Sequence, residues 1–177
     1  MKNLMIDLES LSTNLYGVVT QIGACYFDNQ GKIGDKFLVN IDIASSLYVG
    51  LKIDGKTLKW WFERVNLITW LNNTVNITKA LAMFRDFCYK NKKARVWSHY
   101  FDIYMIEGLY TKIGQKLPFS YRNWRDIRTL IDLSGLKTKK EKDDPKTHNA
   151  LDDCIYQVKY VSKALRMIEG GYNEKEI

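Results

Sequence analysis

Two carboxylates, Asp7 and Glu9, follow the apolar residues 4–6 and are separated by a single residue. In an extended strand alternate side chains point to the same face, so both acids would emerge side by side. Like charges at the end of a buried strand are costly unless a cation compensates them. Oxygen ligands favour a hard cation such as Mg²⁺ or Mn²⁺. The pattern therefore indicates a divalent metal site, and two solvated acids at a strand end are the alternative.

Three further residues could take part in the same chemistry. Asp102 begins a predicted helix after a short apolar strand, where capping by the acid is the alternative function. His148 lies at a predicted junction between a loop and a helix, and Asp153 follows five residues later, which brings both toward the same end of that helix. A solvated surface histidine is the alternative for His148. The strand pair, the helix-start acid and the final His–Asp pair are more specific together than any one of them alone.

Hydrophobic patterning predicts the elements that must position these residues. Strands are expected at 3–9, 18–28, 33–41 and 94–98, and helices at 54–65, 74–93, 101–114, 123–135 and 149–171. Thr57 is a candidate N-cap of the first of these helices. Residues 136–148 are charged and polar and are expected to form an exposed loop. The first three strands would form an antiparallel meander within one α/β domain that spans residues 1–177, with helices packed on a central mixed sheet.

Charge, cysteine spacing and hydropathy limit the kinds of protein that this sequence can encode. The net charge of +7 and the isoelectric point near 9.2 favour an anionic partner, most often nucleic acid, although a basic surface without a partner has the same composition. The three cysteines lack CxxC spacing, so we expect buried free thiols and a reducing, cytoplasmic setting. No apolar run is long enough to cross a membrane, and no signal-peptide pattern follows Met1.

The order of the motifs resembles that of the DEDDh group of 3′-5′ exonucleases, which have an RNase H-like fold. "IDLES" is similar to their first motif, "FDIYMI" to the second and "HNALDD" to the third. His148 lies five residues before Asp153, as in the histidine subgroup, whereas Asn149 stands where the tyrosine subgroup has its tyrosine. Residues 57–64 and 124–133 resemble the branch with phage exonuclease VIII-like and DexA-like enzymes and bacterial exoribonucleases. A bacterial or phage-infected cell would be the source.

The resemblance implies catalytic roles for five residues and two divalent cations, Mg²⁺ or Mn²⁺, as cofactors. Asp7 would bridge the two ions, Glu9 and Asp153 would complete the first site, and Asp102 would support the second. His148 would act as general base toward the attacking water, because the reference pKa of histidine lies near neutrality.

The expected partner is nucleic acid, with single-stranded DNA favoured and RNA as the alternative, and the sequence is compatible with a homodimer. Many members of the group have Asn four residues before the second-motif acid, where this chain has Ser98. One of Trp60 and Trp61 is expected in the core, and the other could stack on a base. The residues that we expect to contact nucleic acid are Ser98, Trp61, Arg125, Arg128 and Lys146. A nucleic-acid-binding module without catalysis and a glycosidase with two carboxylates are the competing functions.

Overall fold

Strand β1 (Asn3–Ser10) is the middle strand of a five-stranded sheet in the computed structural model, which describes residues 1–64, 71–137 and 148–170. Strands β2 (Val19–Phe27) and β3 (Ile33–Asn40) extend the sheet on one side, and β4 (Arg95–Ser98) and β5 (Trp124–Asp126) extend it on the other. The first three strands are antiparallel, whereas β4 is parallel to both β1 and β5. The expected central mixed sheet with an N-terminal meander is confirmed.

Six helices surround this sheet in the described part of the chain. They are α1 (Ile43–Tyr48), α2 (Gly55–Arg64), α3 (Ile77–Cys88), α4 (Tyr100–Lys112), α5 (Ile127–Ser134) and α6 (Ala150–Gly170), with single 3₁₀ turns at Tyr89–Asn91 and Tyr121–Asn123. None of the described helices combines the length and the apolar character that a membrane span requires. Most of the predicted loop, residues 138–147, lies outside the described residues.

The alternation of side chains along β1 divides the interior into two apolar clusters. Leu4, Ile6 and Leu8 belong to the larger cluster, which includes residues of α3 and α4. Met5 points to the opposite face and packs in a second cluster with residues of α5 and α6. By the same alternation Asp7 and Glu9 continue the row that Met5 begins, on the face that α6 covers. The three cysteines are buried and free, as predicted.

Two of the predicted local features are wrong. Residues 124–126 pair with the edge of β4 as strand β5, so the helix expected from residue 123 begins only at Ile127. The carboxylate of Asp126 caps that helix by accepting the N–H of Thr129 at 2.8 Å. In α2 the N-cap function belongs to Asp54, which accepts both the N–H and the hydroxyl of Thr57. Thr57 is therefore the donor in this cap, because the carboxylate three residues before it accepts from both groups.

The first turn of α6 lies directly on strand β2. The side-chain oxygen of Gln21 accepts the N–H of Ala150 at 2.7 Å, and the amide of Gln21 donates to Asn40 at 2.8 Å. Gly23, the ladder partner of Asp7, faces Ala150 so closely that a Cβ atom there would collide with the backbone of the helix. A glycine is therefore required for α6 to approach the strand beside Asp7.

Gly23→Ala should lower the free energy of unfolding by about 1–3 kcal/mol, because the added methyl group overpacks the contact between β2 and α6. Gly55→Ala is the matched control, since no atom lies within 4 Å of a Cβ built at that helix position. The control should leave stability unchanged or raise it by about 0.5–1 kcal/mol. Urea denaturation followed by circular dichroism measures both changes, and equal stabilities of the two variants would contradict the close approach.

Candidate active site

The end of β1 holds Asp7 and Glu9 in the interior, where they are only 9% and 5% exposed. The register of the β1–β2 pair shifts between Glu9 and Ser10, so the backbone leaves the regular ladder there. The carbonyl of Glu9 instead accepts the hydroxyl of Thr20 at 3.1 Å. The irregularity therefore lies directly after the two acids, one residue before the strand ends at Ser10.

Helix α6 brings Asp153 and Gln157 to the same place. The amide nitrogen of Gln157 donates to Oδ1 of Asp7 at 2.7 Å, across 150 residues of sequence. Gln157 follows Asp153 by one helical turn, so the two side chains lie on one face of α6. The sequence analysis missed Gln157, although its spacing from Asp153 on a predicted helix was a usable signal. Its hydrogen bond holds the Asp7 carboxylate in one orientation.

Asp102 enters the site from the end of β4. Because β4 runs parallel to β1 as its direct neighbour, the carboxyl ends of the two strands meet at one edge of the sheet. Asp102 lies in the first turn of α4, is 6% exposed and accepts the N–H of His99 at 3.2 Å. The acid therefore does cap its helix, and it also lies buried beside the acids of β1.

Burial dominates the electrostatics of these acids. It raises the pKa of Asp7 well above its ordinary value, and the nearby Asp102 adds to the rise while the Gln157 hydrogen bond opposes it. Burial also raises the pKa of Glu9 well above its usual range, with further contributions from Asp7, Asp153 and Asp102. Each carboxylate therefore makes ionisation of its neighbours harder, because like charges share a poorly solvated space.

The pKa values of the two remaining acids, Asp102 and Asp153, are also raised. Burial raises the pKa of Asp102 to about 7, against the opposing effects of the His99 N–H and the Arg128 guanidinium. For Asp153 burial again comes first, followed by the charges of Asp7 and Asp152, and its pKa also rises to about 7. A divalent cation would remove this repulsion, because it favours the ionised form of every acid that contacts it.

Glu9, His148 and Asp153 lie close enough to share an ion. One ligand atom from each lies within 4.8 Å of the other two. Oε1 of Glu9 is buried and has no hydrogen-bond partner within the described structure, which is an energetically poor state for a carboxylate oxygen. The carboxylate oxygens of Glu9 and Asp153 match the ligand preferences of Mg²⁺ or Mn²⁺, whereas an imidazole is more typical of softer divalent ions. These residues therefore fit a divalent cation.

His148 also contacts the two tryptophans of α2. Its ring centroid lies 5.0 Å from that of Trp61 and 5.5 Å from that of Trp60. Trp61 is 5% exposed and donates its Nε1–H to the carbonyl of Ser10 at 2.8 Å. Trp61 is thus the core tryptophan of the pair, although we expected it to contact nucleic acid, and Trp60 is half-buried.

The other expected nucleic-acid contacts lie in different surroundings. Ser98 is fully buried, and its hydroxyl donates to the carbonyl of His99 at 2.7 Å. Arg125 is exposed and donates to the carbonyls of Arg122 and Trp124. Arg128 is exposed at the start of α5, close enough to Asp102 to influence its pKa. Lys146 lies outside the described residues.

Comparison with solved structures supports the fold assignment. Exonuclease I in its apo form superposes with a TM-score of 0.66 at 12% identity, over 94% of this chain and 42% of that one. The chain thus spans less than half of the length of Exonuclease I. Pop2p of S. pombe, in an Mg²⁺- and Mn²⁺-bound form, has a TM-score of 0.60 at 9% identity and covers 98% of this chain and 86% of its own.

A third structure, Exonuclease X in complex with 5′ overhanging duplex DNA, gives a TM-score of 0.55 at 13% identity over 98% of this chain and 95% of that chain. The RNase H-like exonuclease fold expected from the motifs is confirmed. No curated protein sequence gives a significant match.

The family comparison covers most of the chain. The family described as "3'-5' exoribonuclease Rv2179c-like domain" matches residues 2–165, an interval that contains all five residues of the candidate active site. The chain belongs to this family of 3′-5′ exonuclease domains.

Proposed function

We propose that the protein is a metal-dependent 3′-5′ exonuclease that removes nucleotides from the 3′ end of single-stranded nucleic acid. The observation that carries this proposal is the convergence of Asp7, Glu9, Asp102 and Asp153 with His148 at one edge of the sheet. Four acids from three elements, all buried or partly buried, are hard to account for by stability alone, because each one raises the cost of ionising another. The membership in an exonuclease family supports the same function.

Two divalent cations would be held by these residues. Asp7 would be the shared ligand. Its position supports this role, because burial and the charge of Asp102 raise its pKa, and its own charge raises the pKa of both Glu9 and Asp153. Glu9 and Asp153 would complete one site, and Asp102 would complete the other. When bound, such ions activate the attacking water and stabilise the negative charge that develops on the leaving 3′-oxygen. Gln157 would keep one oxygen of Asp7 engaged, so that the carboxylate presents a constant orientation.

His148 would take the proton from the attacking water. Its ligand atom lies within 4.8 Å of those of Glu9 and Asp153, so its imidazole faces the space between these acids. Histidine suits this step because its reference pKa lies close to the operating pH of an intracellular enzyme. Ionised Glu9 and Asp153 would then stabilise the imidazolium that forms, since opposite charges favour one another at this distance.

RNA and DNA are the two candidate substrates. The family description names an exoribonuclease, and on that ground we propose RNA ahead of the single-stranded DNA favoured by the motif resemblance. DNA is the second candidate, because the structurally similar Exonuclease X was solved with duplex DNA. The surplus positive charge supports a polyanionic substrate in either case.

A 5′-labelled substrate should shorten as a ladder from its 3′ end in the presence of Mg²⁺ or Mn²⁺, and EDTA should stop the reaction. Single-stranded RNA, single-stranded DNA and duplexes of the same sequence, compared by denaturing gel electrophoresis, would rank the substrates. Faster loss of the RNA supports the exoribonuclease assignment. Binding without cleavage of any substrate would instead support a nucleic-acid-binding module.

His148→Ala should lower the turnover number by about 10²–10⁴-fold, the usual contribution of a general base, while cation binding is retained. Asp7→Ala should abolish cleavage at every Mg²⁺ concentration, because the shared ligand is lost. Single-turnover cleavage and calorimetric titration with Mn²⁺ separate the two defects. Near-wild-type turnover in the histidine variant would refute the general-base role.

The metal-free protein should become less stable as the pH rises from about 4 to about 7. In the unfolded chain Asp102 and Asp153 have pKa values near 4, whereas folding raises both to about 7. Between these limits the folded protein retains protons that the unfolded chain has released, so raising the pH favours unfolding. Divalent cations should restore stability at pH 8, because they bind only the folded site.

Asp153→Asn removes one of the raised pKa values and should flatten this pH dependence in EDTA, with higher stability than the wild type at pH 8. Asp132→Asn on the exposed side of α5 is the control and should follow the wild type. Urea midpoints at pH 5 and pH 8 provide the comparison. Parallel pH profiles for the wild type and Asp153→Asn would show that the raised pKa of Asp153 is not a cause of the pH dependence.

A further inference from the structure

Trp60, Trp61 and His148 form a compact group of three rings. The planes of the tryptophans meet at 84°, with ring centroids 4.6 Å apart. The imidazole of His148 meets the plane of Trp60 at 83° and that of Trp61 at 86°. Every pair is therefore nearly perpendicular, which is the edge-to-face arrangement that the quadrupoles of aromatic rings favour.

The tryptophans are in turn fixed to the end of β1. Directly after the register shift that follows Glu9, the carbonyl of Ser10 accepts the Nε1–H of Trp61 at 2.8 Å. The N-terminus of α2 is held to the same segment, since the N–H of its cap Asp54 donates to the carbonyl of Leu11 at 2.8 Å. Helix α2 is thus attached at two points to the residues that directly follow Glu9.

His148 needs positioning from outside its own helix. It precedes the first residue of α6 by two positions, so the hydrogen bonds of the helix do not fix its ring. Its distance to Glu9 and Asp153 depends on two side-chain torsions, and a displacement of about 1 Å can cost a catalytic group about 10²-fold in rate. The perpendicular contacts with Trp60 and Trp61 restrict both torsions.

We propose that Trp60 and Trp61 are positioning residues that hold the imidazole of His148 against the carboxylates of Glu9 and Asp153. The proposal rests on the general-base role proposed above for His148. In this proposal the two tryptophans contact the histidine and do not stack on a nucleobase. Trp61 supports this, because it is buried and its indole N–H is bonded to the carbonyl of Ser10.

The most direct test observes the histidine ring itself. The chain has only two histidines, His99 and His148, so comparison with His148→Gln assigns the imidazole resonances in a two-dimensional NMR spectrum. Ring currents of the two tryptophans should displace the His148 carbon-bound proton signals in the wild type. Trp61→Leu and Trp60→Leu should each move these signals toward their ordinary positions and broaden them, measured without metal or substrate.

Kinetics provide the second readout. In both leucine variants kcat should fall about tenfold or more, because the base is misplaced, while KM stays within about twofold. Trp61→Phe keeps one aromatic ring and should retain more of the rate than Trp61→Leu. Phe62→Leu, at a position of the same helix that is 70% exposed, should match the wild type in both kinetics and spectrum.

A matched control separates positioning from general loss of stability. Trp97 is also buried, and its Nε1–H donates to Asn3 at 3.0 Å, but it packs in the cluster on the other face of the sheet. Trp97→Phe should lower the melting temperature without moving the His148 signals. If Trp61→Leu does not fold, Trp60→Leu carries the test, because Trp60 is only half-buried.

Two results would overturn the proposal. One is unchanged His148 signals in the folded leucine variants, which would show that the rings do not restrict the imidazole. The other is a higher KM with unchanged kcat, which would show that the tryptophans bind substrate instead. If the leucine variants displace the His148 signals but His148→Gln keeps full activity, the ring contact is supported and the general-base role of His148 is refuted.

Discussion

The burial of four neighbouring carboxylates, which also repel one another, is the constraint on which the arrangement of this site depends. Burial already disfavours ionisation of Asp7 and Glu9. The charge of Asp102 disfavours it further for both acids, and the charge of Asp153 does so for Glu9. A protein selected for stability alone would replace such acids with apolar residues of similar size. Their presence at the end of the middle strand is explained if they are the oxygen ligands of a divalent cation. The positive charge of the cation would offset both the cost of burying the acids and their repulsion.

The architecture concentrates these acids by simple geometric means. Strand β1 carries two acids on one face, and the parallel neighbour β4 delivers Asp102 to the same edge. Helix α6 crosses over β1 and β2 so closely that position 23 must be glycine, which places Asp153 and Gln157 above Asp7. Loss of the β1–β4 pairing or of the contact between α6 and β2 would separate the acids and lower their mutual repulsion, and with it the cation affinity that we propose for them.

The sequence was sufficient to predict the parts of the site that depend on local pattern. The two-residue period of a strand predicts that Asp7 and Glu9 share one face, and three apolar runs predict the antiparallel meander. The edge strand β5 was missed because three residues before a helix carry little pattern of their own, and their pairing with β4 decides their conformation. The helical spacing of Gln157 from Asp153 was available in the sequence. The bond of Gln157 to Asp7 and that of Trp61 to Ser10 are tertiary contacts across 150 and 51 residues, which no local period encodes.

The irregular end of β1 links the two halves of the proposed chemistry. Up to Glu9 the strand follows the sheet and aligns its acids with those of α4 and α6. Beyond it the carbonyls of Ser10 and Leu11 accept hydrogen bonds that hold α2, whose tryptophans contact His148. The backbone segment from Glu9 to Leu11 therefore positions both Glu9, which would bind a cation, and the tryptophans that contact His148, which would accept a proton. A shift of this segment would displace Asp7, Glu9 and helix α2 together, because all three are attached to it.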